Sequence, residues 1–375
     1  MNIGRILNNI RLALFPIGYG MVGALVGGTL NRVFIADIGM AASLVGFIFA
    51  IQYLISPIRI WLGYRSDGFP ILGKRREPYI IIGAIVLALG ITTAAVFAVN
   101  SELPQIVLIL AMVLTFVVYG LGRNLGHNSF QALLADRFDE KQRSRAITLY
   151  EVATLVGSIA GAGGLGKALE VYEPNKLISV TMGASVVLVI LTLVGVLFQE
   201  KKTDLAATEK VKEMPFSQTL REVVLADKQV RYFLLIVVFT FIGTLAQDVL
   251  LEPYGGLVLD MEAGDTTRLT MFWGIGVLIS MLLSGLVLVN KFGYLNILRT
   301  GIIISILVFI GVIGVGLAGK PEIFRMVVLV MGLGTGLAGA GMLSGVINFT
   351  TVIRAGMLMG VWGMANLLGK AAGSL

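Results

Sequence analysis

Cysteine is absent from this chain and histidine occurs once, as His127. Disulfides, thiolate nucleophiles and cysteine or multi-histidine metal sites are therefore excluded. Charge is scarce as well: 14% of residues are charged against 57% hydrophobic, and mean hydropathy is +0.90. No water-soluble globular domain has that balance. Also missing are the Gly-x-x-x-x-Gly-Lys-Ser/Thr phosphate loop, the Gly-x-Ser-x-Gly elbow and the His-Glu-x-x-His helix. Their absence argues against an enzyme and against ATP-driven transport by this chain alone. The apolar stretches do not alternate with period two, which rules out a porin-like barrel.

What the chain has instead is runs of roughly 20 apolar residues, each long enough to cross a hydrocarbon layer. Eleven candidate spans follow, at 12–34, 40–62, 79–99, 104–126, 145–168, 177–198, 231–252, 270–290, 296–318, 323–349 and 355–375. Arg5 and Arg11 precede an apolar run too long for a cleavable signal, so the first run is read as a spanning helix. The last runs into Leu375 without a polar tail, and the expectation is that a final helix is missing or truncated. Basic residues set the orientation. Arg65, Lys74, Arg75 and Arg76 follow span 2, Arg137, Lys141, Arg143 and Arg145 follow span 4, and six more Lys or Arg follow span 6. The opposite loops are poorer in basic residues, which puts the N-terminus in the cytoplasm. The net charge of +7 is thus read as topology and lipid contact, not as nucleic-acid binding.

The only long polar insertion begins at Gln199. It divides the chain into a six-helix N-terminal half (1–198), a cytoplasmic linker with an interfacial helix from Phe216 toward Leu225 (199–230), and a C-terminal half of about five helices (231–375). Six spans, a linker and six more is the pattern of the major facilitator superfamily, whose two halves are pseudo-repeats around a central site. The expected fold class is therefore an all-α polytopic membrane protein with a major-facilitator-type bundle of two six-helix pseudo-repeats, the last helix missing or truncated.

Three polar clusters interrupt the apolar background. The first, Gln247-Asp248-Val249-Leu250-Leu251-Glu252-Pro253-Tyr254-Gly255-Gly256, continues span 7. It places two carboxylates, an amide and an expected Pro-Tyr-Gly-Gly turn at membrane depth. A carboxylate there costs a few kcal/mol and normally faces protein or a wet cavity. If spans 1 and 7 are symmetry mates, Arg32 at the far end of span 1 can meet Asp248 or Glu252 at the centre. The second cluster, Gly63-Tyr64-Arg65-Ser66-Asp67-Gly68 then Gly73-Lys74-Arg75-Arg76, joins spans 2 and 3 with an insertion at 69–72. It resembles the facilitator loop signature. Asp67 near a helix end can pair with an arginine and with the positive end of a neighbouring helix, latching the halves on the cytoplasmic side.

The third cluster ends span 4. Arg123, His127 and Gln131 share one helical face at i, i+4 and i+8, with Asn124 and Asn128 beside it. Such a face cannot look at lipid. A ligand or proton site and a polar helix–helix zipper fit it equally, and Glu151 on span 5 is a candidate partner for Arg123. His127 is a candidate fifth ligand for the magnesium of a chlorophyll, although packing is the commoner role of a lone histidine. Glycine is abundant at 47 residues. The runs Gly157, Gly161, Gly164 and Gly332, Gly336, Gly339, Gly341 have the small-xxx-small spacing of close helix packing.

The chain resembles the PucC/LhaA family, the bacteriochlorophyll-delivery or light-harvesting-assembly branch of the facilitator superfamily. The resemblance rests on Leu30-Asn31-Arg32-Val33, Ala42-Ser43-Leu44-Val45-Gly46, Pro57-Ile58-Arg59, Gly63 to Asp67, Arg75-Arg76-Glu77-Pro78-Tyr79-Ile80, Leu134-Ala135-Asp136 and Arg354-Ala355-Gly356. The block from Gln247 to Gly256 is the most specific. It implies a non-enzymatic protein of a photosynthetic bacterial membrane that assists assembly of antenna or photosystem complexes. Chlorophyll or bacteriochlorophyll is the implied cofactor, with carotenoid or lipid as further apolar ligands. Antenna or photosystem subunits and pigment-synthesis enzymes are the implied partners. Gln247, Asp248, Glu252 and Tyr254 are the implied functional residues. Two competing readings remain: a proton-coupled transporter of a small molecule, and a permanently bound subunit of a photosynthetic complex.

Overall fold

A computed structural model describes residues 3–30, 34, 39–99, 104–168, 173–200, 215–219, 221–222, 228–259, 261, 263–349 and 355–374. Among them the regular structure is helical, apart from one antiparallel bridge between Ile71 and Lys74. In chain order the helices are α1 (Ile3–Leu12), α2 (Leu14–Ala24), α3 (Ala42–Leu54), α4 (Ile58–Gly68), α5 (Glu77–Ala98), α6 (Gln105–Arg137), α7 (Glu140–Ala168) and α8 (Pro174–Val196). The short α9 (Phe216–Thr219) follows, then α10 (Lys228–Val258), α11 (Ala263–Leu283), α12 (Val289–Phe292), α13 (Tyr294–Ala318), α14 (Pro321–Phe349) and α15 (Ala355–Ser374). Single π-helical turns extend α2 (Leu25–Leu30) and join α11 to α12 (Ser284–Leu288).

Helices stand at all eleven expected spans. Seven segments among the described residues are long and apolar enough to cross a membrane: Ser43–Gly68, Glu77–Ala98, Ile106–Arg137, Pro174–Val196, Phe272–Phe292, Tyr294–Ala318 and Pro321–Val346. Their outer faces carry Leu110, Leu114, Ile190, Ile310 and Leu317, all exposed. Water does not tolerate apolar surface on that scale, whereas lipid does. The protein is an integral membrane protein.

Several polar segments expected in loops are helical. α4 runs through Gly63–Gly68, so half of the expected span 2–3 loop is helix. Pro57, which lacks an N–H and cannot continue α3, stands at the start of α4 and makes a break instead of an end. α6 extends to Arg137 and includes the polar run expected to leave the membrane. α10 runs unbroken through Pro253-Tyr254-Gly255-Gly256, so the expected turn there is absent. Neighbouring helices can re-satisfy a backbone group freed by proline inside a membrane helix.

The chain forms two compact units. One comprises residues 1–137, 153–220 and 351–364, the other residues 138–152, 221–350 and 365–375. The core of the first holds Leu25, Val26, Leu30, Ile48, Leu87, Ile91, Phe116, Tyr119 and Leu188. Glycine sets its closest helix approaches. A Cβ on Gly83 or Gly122 would strike the facing backbone of α6 or α5, and one on Gly157 or Gly161 would strike α2 at Ile17 or Met21. Gly164 meets nothing within 4 Å. In the second unit Leu269, Val308, Phe324, Val328 and Met331 form the core. Gly332 and Gly336 seat α14 on α11, and Gly341 seats it on α13 at Leu298, while Gly339 faces open space. Five of the seven glycines singled out from the sequence are thus packing residues.

Candidate functional site

A buried ionic cluster gathers at the ends of α4, α5, α6 and α8. Asp67 and Arg76 are both fully buried, with Nη2 of Arg76 2.7 Å from Oδ1 of Asp67. Arg76 Nε donates to Asp136 Oδ2 at 2.8 Å and its Nη1 to Ser66 Oγ at 2.8 Å. Arg75 lies 3.6 Å from the same Asp136 oxygen. Burial alone would lower the Arg76 pKa, but the carboxylates of Asp136 and Asp67 outweigh it and hold the guanidinium above its ordinary range. The other Asp67 oxygen accepts the backbone N–H of Met357 at 2.9 Å, in the first turn of α15. A carboxylate at a helix N-terminus satisfies an orphan donor and meets the positive end of the dipole. Asp67 therefore pairs with an arginine and with a helix start, as its place in the sequence suggested. Gly360 and Gly363 bring α15 down onto α4, where Cβ atoms would strike the Arg59 backbone and guanidinium.

The connection Phe69–Arg76 is a tight turn. Leu72 and Gly73 take φ of 52° and 76°, and Ile71 and Lys74 exchange backbone hydrogen bonds at 2.9 and 3.0 Å. Two consecutive positive φ values are the mark of a type I′ turn and explain Gly73. Gly63 is buried in α4, and the exposed Arg65 lies over the Phe69 ring at 4.0 Å. At the base of α5 two carboxylates exchange caps. Glu200 accepts from the N–H groups of Arg75, Arg76 and Glu77 at 2.8, 2.8 and 3.1 Å. Glu77 in turn accepts from Phe198 N–H at 3.1 Å, from Glu200 N–H and from Lys74. Arg11 donates to the Leu197 carbonyl at 2.7 Å, and Arg137 joins Asn9 to Gln199. The beginning of the expected linker is thus fixed to α1, α5 and α6. Further on, Phe216 of α9 rests edge-on against Tyr64 at 5.5 Å between ring centroids.

The polar face of α6 meets α2 and the α3–α4 pair. Arg123 Nε donates to Tyr19 Oη at 2.9 Å, and its Nη1 donates to Gln52 Oε1. His127 stacks on Tyr19 at 4.9 Å between ring centroids and lies 3.2 Å, through Nδ1, from Arg59 Nη2. A guanidinium can only donate, so Nδ1 accepts and the neutral ring carries its proton on Nε2. That arrangement leaves no ring lone pair for a magnesium, which counts against His127 as a pigment ligand. Gln131 accepts from Arg59 at 3.5 Å. Asn124 donates to the Gly120 carbonyl at 2.8 Å and Asn128 toward the Arg59 carbonyl at 3.5 Å. The lower part of the face is a polar zipper. Arg123, higher up, borders a cavity of about 270 Å3. Its partners within the first unit are Tyr19 and Gln52, while the expected partner Glu151 lies on the part of α7 that belongs to the second unit.

In the second unit Tyr254 donates to the Val312 carbonyl at 3.0 Å and packs on Phe324 at 5.6 Å between ring centroids. Gly316 leaves room for its hydroxyl. The backbone of Gln247, Asp248 and Glu252 lies on α10, but their side chains, and Arg32 and Arg354 entirely, fall outside the described residues. The expected meeting of Arg32 with Asp248 or Glu252 falls outside them too. The sequence reading missed Arg59, Ser66, Glu77, Asp136 and Glu200 as partners. A signal was available for three of these residues, since charged Arg59, Glu77 and Asp136 sit at the ends of apolar runs within the resemblance segments.

An all-helical membrane protein in this arrangement has the major facilitator fold. The structure of a bacterial homologue of the iron transporter ferroportin in its outward-facing state superposes with TM-score 0.76 at 15% identity, covering 96% of this chain and 89% of that one. The major facilitator proton:xylose symporter XylE, bound to 6-bromo-6-deoxy-D-glucose, gives 0.62 at 13% identity over 97% and 85%. The PUCC protein family model matches residues 29–375, and the chain belongs to that family. A protein named bacteriochlorophyll synthase 44.5 kDa chain, from Rhodobacter capsulatus, is 31% identical over 98% of this chain and 86% of its own length. Protein PucC of the same species is 29% identical over 94% of this chain and 79% of its own.

Proposed function

We propose that the chain is a membrane assembly factor for bacteriochlorophyll-binding antenna or photosystem complexes, and that it receives or hands over pigment at its lipid face. The family match over residues 29–375 carries this reading. It is supported by the name of the relative called a bacteriochlorophyll synthase chain. It is also supported by a cavity of about 670 Å3 between α10 and α13. Tyr232, Leu235, Phe239, Ile306 and Phe309 line that cavity, and their exposure opens it to lipid. Flat apolar macrocycles and isoprenoid tails are suited to such walls. The polar atoms there are the hydroxyls of Tyr232, Thr240 and Ser305, oxygen donors of the kind magnesium accepts. A bound chlorin would supply the light absorption and a magnesium that takes oxygen donors, while the chain would supply the apolar walls and exclude water. The N-terminus lies in the cytoplasm in this reading, with the ionic cluster on that face.

The test is an absorption spectrum and pigment extraction on gently purified protein, with co-purifying polypeptides identified in the same sample. Pigment near one per chain together with antenna subunits is the expected result. Colourless, partner-free protein would refute it and bring forward secondary transport, which the facilitator fold and the carboxylates of α10 favour. Proton-dependent uptake into vesicles that vanishes in Asp248→Asn would then identify that activity. Stoichiometric retention in the mature complex would mark a permanent subunit.

A further inference from the structure

The zipper leaves one part of the α6 polar face unaccounted for. Arg123 lies thirteen residues, about 20 Å, along α6 from Asp136 in the ionic cluster, inside the span Ile106–Arg137. A cation at that depth is normally matched by a carboxylate or faces water and a functional pathway. Its hydrogen-bond partners are instead a phenol, Tyr19, and an amide, Gln52. Tyr119 and Tyr53 lie near enough to act on it electrostatically, and the Tyr19 ring is 5.5 Å away. Among the described residues the groups that touch it are neutral, so they hold the positive charge in place without cancelling it.

The guanidinium borders the 270 Å3 cavity, whose other polar walls are Tyr19, Gln52, Tyr53, Thr154 and Ser158. Gln52 is itself anchored, donating through Nε2 to the Phe49 carbonyl at 3.0 Å. The Ser158 hydroxyl lies 3.1 Å from both the Gly20 and Thr154 carbonyls. A fixed fork of N–H donors ringed by hydroxyls, in low dielectric, is the chemistry that recognises a planar or tetrahedral oxyanion. We propose that Arg123 and the hydroxyls around it bind the carboxylate or phosphate group of a small anion within the first unit. The volume admits a group of that size and no macrocycle. The site therefore stands or falls independently of pigment binding.

The experiment uses the full chain in mild detergent, titrated with inorganic phosphate and with acetate at constant ionic strength, chloride being the control. Thermal unfolding is the readout. A parallel arm compares nanodiscs of phosphatidylcholine alone with nanodiscs that also contain phosphatidylglycerol. Two variants accompany the wild type. Arg123→Gln removes the charge. Gly23→Leu fills the site without touching Arg123, since Gly23 lines the cavity and a Cβ there meets nothing within 4 Å. A saturable rise in Tm with phosphate or acetate, weakened at least tenfold (about 1.4 kcal/mol) in both variants, identifies a free anion. A rise confined to phosphatidylglycerol discs and lost in both variants identifies a lipid headgroup. No rise in either arm, or an unaltered rise in the variants, overturns the proposal.

Discussion

Removing the Asp67 carboxylate should unlock the ionic cluster. Asp67 and Arg76 are both at 0% exposure and 2.7 Å apart, so Asp67→Ala leaves a buried guanidinium with Asp136 alone as counter-charge. Breaking a buried pair from one side costs about 3–5 kcal/mol. The same substitution strips the Met357 N–H of its acceptor, worth about 1 kcal/mol as a helix cap. Asp67→Asn keeps an acceptor for that N–H and loses only the charge, so the two variants should differ by about that cap. At about 2 °C per kcal/mol for a chain of this size, Asp67→Ala should lower Tm in detergent by roughly 8–12 °C. A double-mutant cycle with Arg76→Ala separates the pair from the background, with coupling of about 1–3 kcal/mol expected. A fall of less than about 2 °C for Asp67→Ala, or strictly additive single effects, would refute the argument.

The remaining predictions use the same assay. The stability that Arg76 supplies, measured as wild type minus Arg76→Gln, should be flat from neutral pH to about 10. A base whose folded pKa is raised contributes fully below its unfolded value and loses that contribution only as pH climbs through the folded value, both far above this range for an arginine. Gly122→Ala, whose Cβ would strike the Leu87 backbone, should cost about 1–3 kcal/mol, whereas Gly164→Ala, in open space, should be neutral or slightly stabilising. An equal effect at both positions would contradict the packing account. Tyr254→Phe loses one hydrogen bond to Val312 and should cost about 1 kcal/mol while leaving pigment or partner retention intact. Loss of retention at unchanged stability would instead make Tyr254 a functional residue.

The helical membrane class was legible because lipid imposes one demand, a helix of apolar residues about 20 long. Helices stand at all eleven expected spans, seven of them with segments long and apolar enough to cross among the described residues. The Asp67 arrangement was legible for a similar reason. An acid beside a helix end, followed by two arginines, has few low-cost partners in a membrane protein. Helix ends were not legible, since Gly63–Gly68 read as a loop and span 4 was bounded at residue 126, although both helices continue, to Gly68 and to Arg137. Helices outlast the bilayer when their polar turns find protein partners, and those partners lie far off in sequence. Glu200 caps α5 from more than 120 residues away, and the N–H that Asp67 accepts is 290 residues on. No local pattern announces such pairs.

The same reasoning separates the two arginines of the α4–α6 contact. Arg59 is buried against α15 and donates to His127 and Gln131, so its donors are engaged in joining three helices. Arg123 is held by a phenol and an amide at the wall of a cavity, so its charge remains available. Only the partners distinguish a cation that closes a helix contact from one that can receive a ligand. For that reason Arg123, and not the more deeply buried Arg59, is the residue of this face at which an anion should register.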